Sequence, residues 1–299
     1  MRVFVTGATG FVGSAVTREL LDAGHEVLGL ARSDQGAEAL KSAGAEVHRG
    51  DLNDLDSLRR GAEAADGVAH LAFIHDFTNL TASGEADLQA IEAIGDVLEG
   101  SGKPFVVTSG LLTPQGRVGT EEDPADPASP AKHRIASEIA TLALAERGVR
   151  SSVLRLPPSV HGEGDAGFVP RFITIARDKG VSAMVGDGAN LWPAVHRLDA
   201  ARLFRLALES APAGVRLHAV DDEGVAFHEI AEVIGRHLDL PVVSVAREEA
   251  VDHFGWLGHF APFGLQASSA LTRKRLGWEP THPALIPDLD AGHYFADPA

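Results

Sequence analysis

Val3-Phe4-Val5-Thr6-Gly7-Ala8-Thr9-Gly10-Phe11-Val12-Gly13 joins an apolar β-type run to an amphipathic segment through Gly7, Gly10 and Gly13. After the turn, Val12, Val16 and Leu20 recur every four residues and place one apolar stripe on a helix that Gly24 would terminate. In a strand-to-helix setting, such glycines permit a tight turn, close approach of backbone to a pyrophosphate and close packing of helix on strand. The helix mouth offers unpaired N–H groups to the anion. A glycine-rich turn with no ligand is the bland alternative. The position, the flanking strand and the repeat that follows all favour a dinucleotide.

Working outward, short β-branched runs at 26–30, 46–49, 67–71, 105–108 and 152–156 join the first one at 3–6, with helical stretches near 37–43, 55–62, 87–98 and 135–146 between them. This is the alternation of β-α-β units feeding a parallel sheet. The fold class expected is therefore α/β, a Rossmann-type doubly wound parallel sheet with a smaller C-terminal substrate lobe. After Leu156, proline and glycine punctuate the chain (Pro157, Pro158, Gly162, Gly164, Gly167, Pro170), as in a long functional loop. Residues 216–220 read as a late return to the main sheet and 227–238 as a helix of the smaller lobe. The domain expectation is a dinucleotide-binding unit of residues 1–160 plus about 194–222, with a substrate lobe of about 161–193 plus 223–299. The acidic, proline-rich stretch 121–130 reads as a surface loop.

Composition narrows the chemistry. The 299 residues carry 42 acidic and 26 basic side chains, and the formal charge of -16 repels a phosphate backbone and an anionic membrane surface alike. Neither nucleic acid nor membrane is an expected partner. The first residues do not form a secretory leader and no long apolar run follows, so a cytoplasmic location is expected. With no cysteine, disulfides, thiolate nucleophiles and cysteine-type metal sites are excluded.

A carboxylate at the end of the second strand would bind the ribose 2′-hydroxyl of NAD. Here that strand ends Leu30-Ala31-Arg32-Ser33, and the forked donors of Arg32 suit a 2′-phosphate. Asp34 admits two readings, a ribose contact or a helix cap. The balance favours NADP(H) over NAD(H).

These residues resemble the short-chain dehydrogenase/reductase superfamily, in its extended and atypical branches related to nucleotide-sugar epimerases and dehydratases. Thr6 to Gly13 matches that family's TGxxGxxG turn and assigns Gly7, Thr9, Gly10, Phe11, Val12 and Gly13 to the cofactor. Gly50-Asp51-Leu52 is similar to the loop that meets adenine, and His70-Leu71-Ala72, with Phe73, to the loop beside the cofactor ribose. Thr108-Ser109 resembles the end of strand five that supplies the catalytic serine. Residues 155–162, including Leu156, Pro157, Pro158 and Ser159, resemble the cofactor loop after strand six. His196-Arg197-Leu198-Asp199-Ala200-Ala201 and Leu276-Gly277-Trp278-Glu279-Pro280 are similar to two later motifs of the extended branch. The family's chemistry needs a tyrosine and, four residues on, a lysine. This chain has a single tyrosine, Tyr294, and aligning the family's following glutamate on Glu138 puts Pro130 and Arg134 at the two positions. Arg134 keeps the charge but is a poor proton donor.

Histidine is the natural substitute, because it titrates near neutrality. His75 with Asp76 beside it, His133, His161 and His196 lie on segments that the fold brings towards the nicotinamide, with His161 the first choice and His75 next. Ser109 would hydrogen-bond the substrate oxygen. For each of these a structural role is the competing reading. Phe168, Trp192 and Trp256 are candidates for an apolar pocket wall. No HExxH or paired ligand spacing indicates a metal. The expectation is an NADP(H)-dependent oxidoreductase with a small-molecule carbonyl or alcohol substrate, a homodimer being left open. A non-catalytic NADP(H) sensor and a nucleotide-sugar epimerase or dehydratase are the alternatives.

Overall fold

Strand β1 (Arg2–Thr6) is apolar without a break because both of its faces are covered. Val3 and Val5 enter one core cluster with Val16, Leu20 and Phe204, while Phe4 enters another with Leu58, Ile91 and Phe105. In this computed structural model, which describes residues 1–129 and 131–296, the units continue as α1 (Phe11–Asp22), β2 (Glu26–Ala31), α2 (Asp34–Ala43), β3 (Glu46–Arg49), α3 (Leu55–Glu63), β4 (Gly67–His70), α4 (Leu80–Leu98) and β5 (Pro104–Gly110). A short β6 (Val118–Gly119) precedes a 3-10 turn at Lys132–Arg134, α5 (Ile135–Ala143) and β7 (Arg150–Leu156).

The next elements are β8 (Ser159–His161), α6 (Phe168–Lys179), β9 (Ser182–Val185), β10 (Leu191–His196), α7 (Arg197–Ser210), β11 (Val215–His218), β12 (Asp222–Ala226), α8 (Phe227–Leu238) and β13 (Val242–Val245). The chain closes with α9 (Ala250–Phe254), β14 (Gln266–Ala267), α10 (Ala270–Leu276) and α11 (Leu285–Asp290). Seven parallel strands form the main sheet in the order β11-β7-β5-β4-β1-β2-β3. The expected α/β fold is thus present, with β11 making the late return to the sheet. The order reverses between β1 and β4, and a doubly wound sheet opens a crevice there, beyond the carboxyl ends of its strands.

Beyond β7 a third apolar cluster forms around Phe172, Trp192, Phe227, Ile230 and Leu285, served by a three-stranded sheet β12-β10-β8. Buried charge fixes α5 against the main sheet. Arg155 of β7 donates to Glu138 of α5 at 2.9 and 2.6 Å, and Arg216 of β11 donates to the same carboxylate at 2.7 Å. The helix so held begins directly after Arg134. Helix α4 starts seven residues before the pattern suggested, because Asn79 caps it by accepting from Ala82 N. Among the described residues no helix is long and apolar enough to cross a membrane.

Candidate active site

Gly7 leaves β1 with φ +69, and a Cβ there would lie 2.7 Å from the backbone nitrogen of Ala72 and 2.8 Å from the carbonyl carbon of Leu71. Only glycine fits that close approach. Thr6 Oγ1 accepts from both Leu71 N and Ala72 N at 3.2 Å, so the loop after β4 is tied directly to the turn. Helix α1 opens at Gly10 with no side-chain cap and no acidic residue in its first turn. Its leading amides therefore face outward without a protein side-chain partner, which suits a pyrophosphate. Phe11, Val12 and Gly13 join Gly7 and Gly10 in the wall of a cavity of about 610 Å³; Thr9 is exposed and lies outside that wall.

At the end of β2, Arg32 is exposed and makes no ion pair among the described residues. Ser33, not Asp34, caps α2 by accepting from Gly36 N at 3.1 Å. Asp34 instead pairs with Arg49, so the capping reading of Asp34 is corrected. The engaged carboxylate leaves Arg32 as the side chain available to a group on the ribose. Asp51 Oδ1 accepts from Asn53 N at 3.0 Å in the loop after β3, and Leu52 is buried beside it.

The middle of the cavity is polar. Thr108 and Ser109, at the end of β5, line it, and their hydroxyl oxygens are buried with no hydrogen-bond partner among the described residues. An orphaned hydroxyl is costly unless a ligand completes it, so these two are the strongest mark of a binding site in the molecule. Arg134 lines the same wall. Its guanidinium donates to the Thr108 carbonyl, pairs with buried Asp87 at 3.2 Å and lies 4.2 Å over the Phe73 ring. Asp87 of α4 also meets His70 Nε2 at 3.3 Å, while His70 Nδ1 meets Thr6 Oγ1 at 2.9 Å. Because Thr6 Oγ1 already accepts from two amides, its hydroxyl donates to Nδ1, which leaves the His70 proton on Nε2 facing Asp87. A buried relay thus runs from the glycine turn to Arg134. Nothing in the sequence pattern singled out Asp87; a lone acid on the apolar helix face near residues 90, 91 and 94 was the available signal.

His75 and His133 both line the cavity and flank Phe73, at 5.2 and 5.6 Å between ring centroids. Burial, and then the Arg134 charge, lowers His133 to about 4 and also lowers His75. Each is therefore a neutral imidazole at pH 7. Asp76 does not orient His75, because its carboxylate turns back to accept from Thr78 N and Thr78 Oγ1. Leu71 and Phe73 line the wall, and Ala72 supports it from behind.

Three further expectations fail. Leu156, Pro157, Pro158 and Val160 line the cavity, whereas Ser159 and His161 do not. Alternation along β8 sends Val160 inward and its two neighbours to the other side. His161 is 1% exposed, and its Nδ1 sits 2.8 Å from Asp288 Oδ2, so it is no pocket proton donor. His196 is no substrate ligand either. It caps α7 through Nδ1, which accepts from Leu198 N, and it stacks on His282 with centroids 4.7 Å apart. Among the described residues His196, Asp199 and His282 are a group able to hold a metal ion. They have internal partners, since Asp199 accepts from Thr281 N, His282 N and His282 Nδ1, all at 3.0 Å.

Tyr294 is likewise structural. Its hydroxyl accepts from Gly162 N at 2.9 Å and donates to Asp165 at 3.1 Å, and burial, with Asp165 beside it, raises its pKa far above the ordinary phenol value. Asp165, which the sequence pattern also passed over, lines the cavity with a carboxyl that burial raises to about 6. Pro130, aligned with the family's tyrosine, lies outside the described residues. Phe168 and Trp192 line the far end with Phe77, Phe260, Phe263 and Leu111, and Trp256 stands behind Phe77 without lining it.

Comparison with known proteins agrees with this geometry. Protein C2A9.02 of Schizosaccharomyces pombe is 51% identical over 299 residues, covering 99% of this chain and all of that one. The UDP-glucose 4-epimerase of Streptomyces lividans is 26% identical, with 97% of this chain and 94% of that one aligned. The crystal structure of DesIV, a dTDP-glucose 4,6-dehydratase from Streptomyces venezuelae with NAD and TYD bound, superposes with a TM-score of 0.78. It is 23% identical and aligns with 98% of this chain and 96% of its own. The sequence pattern of the NAD dependent epimerase/dehydratase family spans residues 3–220, and the chain belongs to that family, an NAD(P)-binding branch of the short-chain dehydrogenase/reductase fold.

Proposed function

We propose that this protein is an NADP(H)-dependent oxidoreductase acting on a carbonyl or alcohol of modest size. One observation carries the reading: a single cavity runs from the uncapped mouth of α1 to the orphaned hydroxyls of Thr108 and Ser109. A nicotinamide bound there would supply or accept the hydride. The proton that accompanies the hydride is exchanged with water, and the chain's own residues orient and polarise the reacting oxygen. Ser109 Oγ donates a hydrogen bond to the reacting oxygen, and Arg134, fixed by Asp87 and Thr108, supports negative charge beside it without exchanging a proton. His133, neutral at pH 7, offers an N–H on the same wall, with His75 nearer the mouth. Ser109→Ala should lower kcat/KM about 100-fold while NADP+ still binds. Full activity in that variant, measured by nicotinamide absorbance across a panel of ketones and alcohols, would remove Ser109 from the chemistry.

The preference for the phosphorylated dinucleotide has its own test. Among the described residues Arg32 is exposed and unpaired, so Arg32→Glu should weaken NADP+ about tenfold or more and NAD+ by less than about threefold. Equal losses for both dinucleotides in calorimetric titrations would show that Arg32 does not read the 2′-phosphate.

A second reading, a nucleotide-sugar epimerase or dehydratase, is favoured by the nearly full-length likeness to a UDP-glucose 4-epimerase. Conversion of UDP-glucose by the purified protein would establish it. Against it stands the missing tyrosine, since neither Arg134 nor the structurally engaged Tyr294 replaces that proton donor.

A further inference from the structure

Beyond Ser109 the cavity changes character. Its far end is walled by Phe77, Phe168, Trp192, Phe260, Phe263 and Leu111. Phe77 belongs to the loop after β4, in the dinucleotide-binding half of the molecule. Its ring stacks on Trp256, from the region after α9, at 3.9 Å between centroids and 21° between planes. Phe168 completes the cluster at 5.8 Å from Trp256 and 5.7 Å from Trp192. The two halves of the molecule therefore meet in an aromatic clamp over the substrate end.

Charge in the far half of this cavity argues against a second diphosphate there, beyond the one at the mouth of α1. Among the described residues no lysine lines it, and its two arginines are Arg134, already paired with Asp87, and Arg171, exposed and 5.6 Å over the outer ring, that of Trp256. Asp165 adds a carboxyl to the same wall. A nucleotide-diphosphate sugar would bring two negative charges with one free guanidinium to meet them, inside a chain of formal charge -16.

We propose that the far half of the cavity binds an uncharged, ring-bearing organic compound whose one reacting oxygen points back to Ser109, and that the Phe77–Trp256 clamp selects for its ring. Flat apolar bodies gain from ring-on-ring contact as well as from leaving water, and a single polar end matches the single polar wall. This rests on the oxidoreductase reading for the reacting oxygen but not for the ring site itself.

Isothermal titration of the full chain with 4-phenyl-2-butanone and with UDP-glucose, each with and without NADP+, tests it. The ketone should bind at least about tenfold more tightly than UDP-glucose. Phe77→Ala should weaken the ketone about tenfold, and Phe77→Leu, which keeps apolar bulk but no ring, should recover only part of that loss. Tighter binding of UDP-glucose, or no ketone binding under either condition, overturns the inference, as does a ketone affinity indifferent to Phe77 in variants that melt like the parent. Absence of NADP+ binding would instead overturn the oxidoreductase reading, while the comparison of ketone with UDP-glucose in NADP+-free protein would still decide the character of the far half.

Discussion

Gly13→Ala is expected to lower NADP+ affinity by roughly 100-fold or more, about 3 kcal/mol. A Cβ at Gly13 falls deep inside the shell of the Gly7 carbonyl oxygen and also crowds the Gly7 carbonyl carbon at 2.7 Å. Both obstacles are backbone atoms, so no rotamer change relieves them. Either α1 moves away from β1 or the turn at Gly7 opens, and each alternative displaces the amides at the helix mouth. Gly10 is the internal comparison. A Cβ there meets the same oxygen at 3.2 Å, a clash that a shift of a few tenths of an ångström removes. Gly10→Ala should therefore weaken NADP+ by less than about tenfold. If calorimetry ranks the two the other way, the turn does not hold the pyrophosphate as argued.

The dinucleotide half was legible because its signals are local. A turn, the strand before it and the helix after it occupy adjacent residues, and buried parallel strands are largely apolar, so β1, β2 and β4 stand close to where the pattern places them. The far half was legible only in part: His75, His133, Phe168 and Trp192 do line the cavity, but Phe77, Phe260 and Phe263 complete a wall that no spacing rule connects. His161 illustrates a subtler loss. The loop after β7 does reach the cavity, as its resemblance implied, but in an extended segment a one-residue offset reverses the face. Val160 lines the cavity while His161 is buried against Asp288. Applying that alternation outward from Pro157 and Pro158 would have required knowing where β8 begins. His196 was misread for a different reason. A histidine just before a helix can be a cap, and Leu198 N takes up its Nδ1.

The relay through Asp87 yields the strongest stability expectation. Asp87 is fully buried and is the only carboxylate paired with Arg134 among the described residues, and Arg134 is itself 6% exposed. Removing one partner of such a pair leaves the other charge stranded in a medium that solvates it poorly, which costs about 3–5 kcal/mol. Asp87→Ala should therefore lower the melting temperature by about 10 °C. It should also lower kcat, because Arg134 would no longer be held beside the Thr108 carbonyl and Ser109. Replacing both partners, Asp87→Ala with Arg134→Met, should restore most of the stability and none of the activity, separating the electrostatic cost from the chemical role. The pH dependence follows from the same contacts. Burial by itself would push the Asp87 carboxyl up, but Arg134 and then His70 outweigh it and hold the group below its ordinary value. A carboxyl depressed in the folded state stabilises the protein above the unfolded-state value, near 3.9 for Asp, and that contribution is lost as the pH falls through the lower folded-state value. The gap in melting temperature between the parent and Asp87→Asn should thus be full at about pH 6 and shrink as the pH falls below about 4. A gap that is absent at pH 6, or that widens in acid, would mean that the Arg134 charge is held by something other than Asp87, and the relay from Thr6 to the reacting wall would have no energetic substance.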